Sequence, residues 1–403
     1  MEKSPTLKRD LGFLLLVFYG LGNILGAGIY VLVGKVAGIA GYYAPFAFVI
    51  SAFVAYFTAL SYAELSARFP YSAGEALYVQ KGFNKKNLTI AAGLIVCMSA
   101  IVSAATISHG FIGYLQVYID IPDTIGIILI TLLLGVIASR GITQAVGVAA
   151  ALTVLEIIGL LIIVVSGTEV FSQTANFTHE LNQNFSPGIV LTVFAGAFVA
   201  FYAFLGFEDM VNVAEEVKNP TTLMPKAILF ALLVATIFYF LIAMIAVMAV
   251  EPTKLAESKA PLALVYTTLT NNDPAVITLI SLFAVINGAL IQIIMVSRLL
   301  YGMSKNEWIP SFFSDINKTT NTPVKATLFS TAAVLTAALL FPILTLAKFT
   351  SLFVLILFIV VNAALLKIKQ QTPHVAGVKS YSKWIPIIGI ITSSSLVLME
   401  IIS

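Results

Sequence analysis

Between Leu11 and Gly34 the chain carries no charged residue, and near the middle of that run stands Gly22-Asn23-Ile24-Leu25-Gly26-Ala27-Gly28-Ile29-Tyr30. A run of this length spans a membrane, yet its centre holds the residues that interrupt a helix. Unpaired backbone groups are costly in hydrocarbon, so such a break is tolerated only where it lines a cavity or is buried in protein. Its chemistry follows from the two new helix ends: one offers free N–H groups and the positive end of a dipole, the other free carbonyls. One break can thus hold a carboxylate on one side and an ammonium on the other, the charge separation of a zwitterionic amino acid. Gly22 and Gly26 also read as a GxxxG, which in membranes favours close helix packing.

A second set of candidates follows Phe185, where an apolar run reaches Phe204-Leu205-Gly206-Phe207 and then Glu208 and Asp209. Two adjacent carboxylates at that depth need water, a cation or free N–H groups. They either cap the second half of another broken helix or handle a cation or proton. Phe201, Tyr202, Phe204 and Phe207 flank this break, and one of them, with Phe204 the candidate, can act as a lid. Glu156 stands alone in an apolar run and is the sharpest candidate for coupling: an isolated carboxyl there takes up a proton, coordinates a sodium ion or pairs with a donor. Glu64 and Arg68, four apart, are spaced as a helix-surface pair. His109 reads as a satisfied interior group rather than a relay. No His or Cys cluster has metal-ligand spacing and no phosphate-binding loop is present, so neither a metal site nor enzyme chemistry is expected.

The elements that must position these residues are membrane helices. Of 403 residues 59% are apolar and 10% charged, against about 25% charged in soluble domains, and the mean hydropathy is +1.00. Charge-free runs predict spans near 11 to 34, 41 to 63, 88 to 118, 124 to 139, 142 to 167, 188 to 210, 227 to 250, 274 to 303, 326 to 341, 346 to 366 and 384 to 402. With the N-terminus in the cytoplasm, eighteen Lys and Arg fall inside, Lys3, Lys8 and Lys318 among them, and only Lys35, Lys254, Lys259 and Lys348 outside. That asymmetry accounts for the net charge of +3 as topology rather than nucleic-acid binding. The single cysteine, Cys97, forms no intrachain disulfide, and the first span reads as retained rather than as a cleaved leader.

The two breaks fall in spans 1 and 6, the first members of two five-helix sets. An odd number of spans per set inverts one against the other, and paired discontinuous helices in inverted halves mark a secondary transporter with a midplane site. The expected organisation is one transmembrane domain: a first repeat over 11–167, a second over 188–366 and an accessory helix at 384–402.

The glycine signature, followed by Val33-Gly34-Lys35, resembles the first helix of the amino acid/polyamine/organocation (APC) permeases. Further matches are Ser61-Tyr62-Ala63-Glu64-Leu65 through Pro70, Gly74-Glu75-Ala76, Gly206-Phe207-Glu208 through Lys218-Asn219-Pro220, and Ser297-Arg298-Leu299-Leu300-Tyr301-Gly302 through Pro310. The resemblance implies the LeuT-type fold and an amino acid permease of the plasma membrane, multi-pass, working by alternating access as a symporter or exchanger. Spans 1, 2, 6 and 7 would rock against the others. Twelve spans are usual in the family, where this chain shows eleven. The resemblance places the substrate carboxylate on backbone N–H groups of Gly26, Ala27 and Gly28, and the ammonium on carbonyls around Ile24, Tyr202 and Leu205, with Ala203 in the same stretch. Gln292 falls near the side-chain pocket. Several sodium-independent relatives place a lysine near Glu156, whose charge is the reverse, so their mechanism does not carry over and H+ or Na+ is the coupling ion to consider. No other cofactor is implied, the partners are an amino acid and the bilayer, and the oligomeric state is open. Alternatives are a cationic amino acid or polyamine antiporter and a non-transporting sensor on the same fold.

Overall fold

A computed structural model describes residues 9–71, 74–140, 146–183, 185, 187–317 and 322–402. Lys3, Lys8, Lys318 and the opening residues of the expected segment 142–167 lie outside the described residues. The apolar runs form helices because only a helix satisfies every backbone group within one segment of chain. In chain order these are α1 Phe13–Leu25, α2 Ala27–Ala40, α3 Ala44–Arg68, α4 Gly74–Phe83, α5 Lys86–Leu115, α6 Asp123–Ser139, α7 Val146–Ser166, α8 Thr174–Gln183, α9 Ile189–Ala200, α10 Pro220–Ala249, α11 Pro252–Glu257, α12 Pro261–Thr270, α13 Ala275–Lys305, α14 Val324–Leu340, α15 Ile343–Gln371 and α16 Trp384–Ile402.

Among the described residues eight segments are long and apolar enough to cross a membrane; the first, Phe13–Arg68, runs through α1, α2 and α3. The chain is therefore an all-helical, multi-pass membrane protein. The runs expected at 124 to 139 and 326 to 341 become α6 and α14, 17 residues each, at the short side of what spans a bilayer. The connection near 251 to 273 is not extended chain. Pro252 and Pro261 stand at first helical positions, where a missing N–H costs nothing, and start α11 and α12.

Two features of the fold fix the site. The break-bearing helices lie together: α1 packs on α10 and α7, and α2 packs on α9. Among the described residues the β pairing is a single bridge between Leu11 and Val217, with Leu11 N–H donating to Glu216 O at 3.0 Å and Lys218 N–H to Leu11 O at 2.9 Å. It ties the start of α1 to the end of the segment that follows the second break. Around this pair α5 packs against both α13 and α15, and the three supply the remaining walls.

Candidate functional site

The first break is one residue wide. α1 ends at Leu25, Gly26 adopts φ −49°, ψ −131°, and α2 resumes at Ala27. The N–H groups of the first turn of α2, at Ala27 and Gly28, therefore point at the break with no carbonyl of the preceding turn to take them. The second break is longer. α9 gives way to a 3₁₀ turn over Phe201–Phe204, Leu205 is extended, and Gly206 takes φ +120°, a conformation that a side chain disfavours. Beyond it the chain winds as a 3₁₀ helix over Glu208–Glu216 rather than a new α-helix. Glu208, Val211 and Ala214 are all buried, and their spacing of three matches the 3₁₀ period, which stacks them on one face.

The breaks interlock. A Cβ on Gly28 would lie 2.4 Å from Ala203 Cα, and one on Gly206 would lie 2.6 Å from the carbonyl carbon and oxygen of Asn23. Each break thus lays a glycine on the backbone of the other. Tyr239 of α10 holds the pair from behind: its hydroxyl faces Ile24 O at 2.5 Å and Ala203 O at 2.7 Å. One proton serves two carbonyls, so the ends of both interrupted helices share a single donor.

Between the breaks lies a cavity of ≈ 70 Å³. Gly22, Asn23, Ile24, Gly26 and Gly28 line it from the first break, and Tyr202, Leu205, Gly206, Glu208 and Asp209 from the second. α5 contributes Val96, Ser99, Ala100, Ser103 and Ile107, α13 contributes Gly288, Ile291, Gln292 and Met295, and α15 contributes Thr350, Val354 and Leu357.

The expected site residues divide between those that line the cavity and those behind it. Ile24, Gly26, Gly28, Tyr202, Leu205, Glu208, Asp209 and Gln292 line it; Ala27 opens α2, and its side chain lies outside the described residues. Two of the expected carbonyls already have partners: Ile24 O faces Tyr239, and Tyr202 O accepts the N–H of Leu205 at 3.2 Å. The Tyr202 hydroxyl meets Ser103 Oγ at 3.0 Å and so joins the second break to α5. Ala203 touches Gly28 rather than the cavity. Phe204 is fully buried and stacks edge-on against Tyr239 at 5.0 Å, while Phe207 packs on Tyr62 and Phe358. In this arrangement neither ring covers the cavity.

The carboxylates have distinct surroundings. Glu208 folds back so that its Oε2 accepts the N–H of Gly206 at 2.9 Å, capping a backbone donor that the break leaves free. Glu75, at the start of α4, lines the same cavity and accepts the Tyr62 hydroxyl at 3.2 Å. Burial pushes the Glu75 carboxyl up to about 7, with the nearby Asp209 charge acting in the same direction. Glu156 does not line the cavity. It is 1% exposed, neither carboxylate oxygen has a hydrogen-bond partner, and Tyr30 donates to its main-chain oxygen at 2.7 Å. An ion left so would be very costly. Gln292 Oε1 is likewise buried and unpartnered. His109 meets Ala338 O at 2.9 Å, as a satisfied interior group should. Among the described residues no cluster of His, Cys, Asp or Glu is arranged to hold a metal.

Sequence reasoning missed Tyr239, Ser103 and the cavity position of Glu75. The available signal for Tyr239 was its hydroxyl within the otherwise apolar run 227 to 250, which must find an acceptor when buried.

Comparison with known proteins finds membrane transporters. The chain is 28% identical over 401 residues to the branched-chain amino acid permease BcaP of Bacillus subtilis, covering 92% of this chain and 83% of that protein. It is 28% identical to the vacuolar cationic amino acid transporter 2 of Arabidopsis thaliana, with 89% of this chain covered but only 59% of the longer plant protein. It is also 24% identical to the methylthioribose transporter of Bacillus subtilis, with 97% and 88% covered. Residues 11–402 match the amino acid permease family. A glycine-broken helix pair closing on a small cavity, in a chain matched from Leu11 almost to its end, makes this protein a member of the amino acid permease family of membrane transporters.

Proposed function

We propose that this chain is a secondary amino acid transporter that works by alternating access, with eleven spans in a LeuT-type arrangement of two inverted five-helix repeats. The observation that carries the reading is the interlock of Gly28 on Ala203 and Gly206 on Asn23 at the edge of one cavity. Such contact lets the N–H groups at Gly26, Ala27 and Gly28 take a substrate carboxylate while carbonyls near Ile24 and Leu205 take its ammonium. Carrying substrate from one side of the membrane to the other requires this space to open to each side in turn, which is the conformational step that alternating access supplies. The N-terminus is cytoplasmic in this reading and the membrane is the plasma membrane.

Glu156 is the coupling group, taking a proton or a sodium ion onto the carboxylate that no side chain or backbone group satisfies. Purified protein in liposomes, supplied with labelled leucine and arginine under imposed pH or sodium gradients, tests this directly. Gradient-driven uptake is expected, and Glu156→Gln should abolish it while leaving exchange intact. Equal gradient dependence in the variant would remove Glu156 from coupling. A second reading has its own observation: Glu75, Glu208 and Asp209 line the cavity together, which favours a cationic amino acid or polyamine. Uptake of arginine but not leucine would select it.

A further inference from the structure

Outside the cavity, a buried polar cluster lies at the Arg68 end of α3. Glu64 is fully buried, and its carboxylate takes five donors. Oε1 accepts Arg68 Nε at 2.9 Å, Arg68 Nη2 at 2.7 Å and Ser380 Oγ at 3.0 Å. Oε2 accepts Lys369 Nζ at 2.6 Å and the N–H of Tyr381 at 2.9 Å. The two cations then grip the link between α15 and α16 at both ends. Arg68 donates to Thr372 O at 2.7 Å and Pro373 O at 3.1 Å, and Lys369 donates to Tyr381 O.

A second polar layer lies deeper. Asn362 of α15 accepts the Ser61 hydroxyl at 2.6 Å and donates to Thr58 Oγ1 at 2.9 Å, both on α3. On its other side a Cβ at Gly389 would meet the Asn362 amide at 2.7 Å, so α16 closes directly onto this residue. The far end of α16 is pinned to α15 by Lys348 and Glu400 at 2.6 Å. α4 joins the group through Gly82, where a Cβ would meet Ala364 Cα at 2.7 Å.

By contrast, among the described residues no side-chain hydrogen bond joins α15 to α5 across their extensive packing. Apolar surfaces slide past one another by exchanging equivalent dispersion contacts, whereas a buried polar bond broken at membrane depth finds no water to replace it. We infer that α3, α4, α15 and α16 move as one body during transport, with the α5–α15 contact as the sliding plane. The helix at 384–402 is then a working part of the moving bundle rather than an accessory. This rests on the alternating-access reading and departs from the simple division in which spans 1, 2, 6 and 7 move against all the others.

The test uses the full chain with its single cysteine removed, Cys97→Ser, reconstituted in liposomes with labelled leucine and arginine as probes. Ser61→Cys with Asn362→Cys is bridged by oxidation or mercuric ion and assayed before and after bridging, then after reductant. Uptake that survives bridging is expected. Uptake lost on bridging and restored by reductant would overturn the inference, because the two helices would then have to separate. Because Asn362→Cys disturbs the deeper layer, a second measurement leaves both layers intact. Spin labels at the exposed positions Tyr71 and Gln370 should keep one distance with and without substrate, while a Tyr71 to Lys86 pair changes. A shift in the Tyr71 to Gln370 distance would overturn the inference as well. Absence of leucine and arginine uptake by the unsubstituted chain would strike the transporter reading itself, and the moving body with it.

Discussion

Gly28→Ala probes the interlock with the smallest possible side chain. The added Cβ would stand 2.4 Å from Ala203 Cα and 2.8 Å from its Cβ, where ordinary contact begins near 3.4 Å. The nearest atom is backbone, so no rotamer change relieves the clash, and the two breaks must part by about 1 Å at an overpacking cost of about 1–3 kcal/mol. Tyr239 cannot then keep both Ile24 O at 2.5 Å and Ala203 O at 2.7 Å. A displacement of about 1 Å among groups that orient a bound molecule costs about 10²-fold in rate, so uptake of labelled leucine or arginine into proteoliposomes should fall by that order. Gly302→Ala is the matched control: nothing lies within 4 Å of its Cβ, and alanine in a helix interior is favoured by about 1 kcal/mol. Thermal unfolding of both proteins separates loss of fold from loss of site. Wild-type uptake by folded Gly28→Ala would refute the reasoning, because the breaks would then not need to touch.

Three further outcomes follow from the same geometry. Tyr239→Phe leaves two buried carbonyls to share no donor, at about 1–3 kcal/mol, and should lower substrate affinity in a binding assay by about 10-fold or more while the protein still folds. Glu75 has its carboxyl pushed from 4.5 to about 7, so folding favours its protonated form; the associated stability is full below 4.5 and is lost as pH rises through about 7. That loss approaches about 3 kcal/mol, and melting temperatures across pH 4 to 8 should show a slope that Glu75→Gln removes. Gln292→Leu replaces a cavity-facing amide whose Oε1 has no partner, so competition assays should show the preference among amino acids move toward apolar side chains; an unchanged ranking would place Gln292 outside the specificity pocket.

Much of the fold was legible because membrane helices announce themselves by composition. The run at 274 to 303 lies within two residues of α13 at both ends, and the run at 188 to 210 begins one residue before α9 but extends past its end into the second break. The breaks were legible for a local reason: Gly206 takes φ +120°, a conformation that other residues resist, and both Gly26 and Gly206 stand in runs that are otherwise continuous. What the sequence could not disclose is which distant surfaces meet. The contact of Gly28 with Ala203 joins residues far apart in the chain, and a small residue beside a break looks the same whether it faces lipid or another backbone. Tyr239 reads as one aromatic among several in α10 until the carbonyls it reaches are known. The pairing of Glu64 with Arg68 was visible in their spacing, but not its burial, since Lys369, Ser380 and Tyr381 arrive from more than 300 residues away. The continuation of the second break as a 3₁₀ helix depended on the same tertiary packing.

The most direct measurement is an electron-microscopy map of the protein saturated with an amino acid that it transports. Density is expected between the two breaks, with the carboxylate within hydrogen-bond distance of the N–H groups at Gly26, Ala27 and Gly28 and the ammonium toward the carbonyls near Ile24 and Leu205. Density seated elsewhere, with the space between Gly28 and Gly206 unchanged, would contradict the assignment of the paired breaks as the amino acid site.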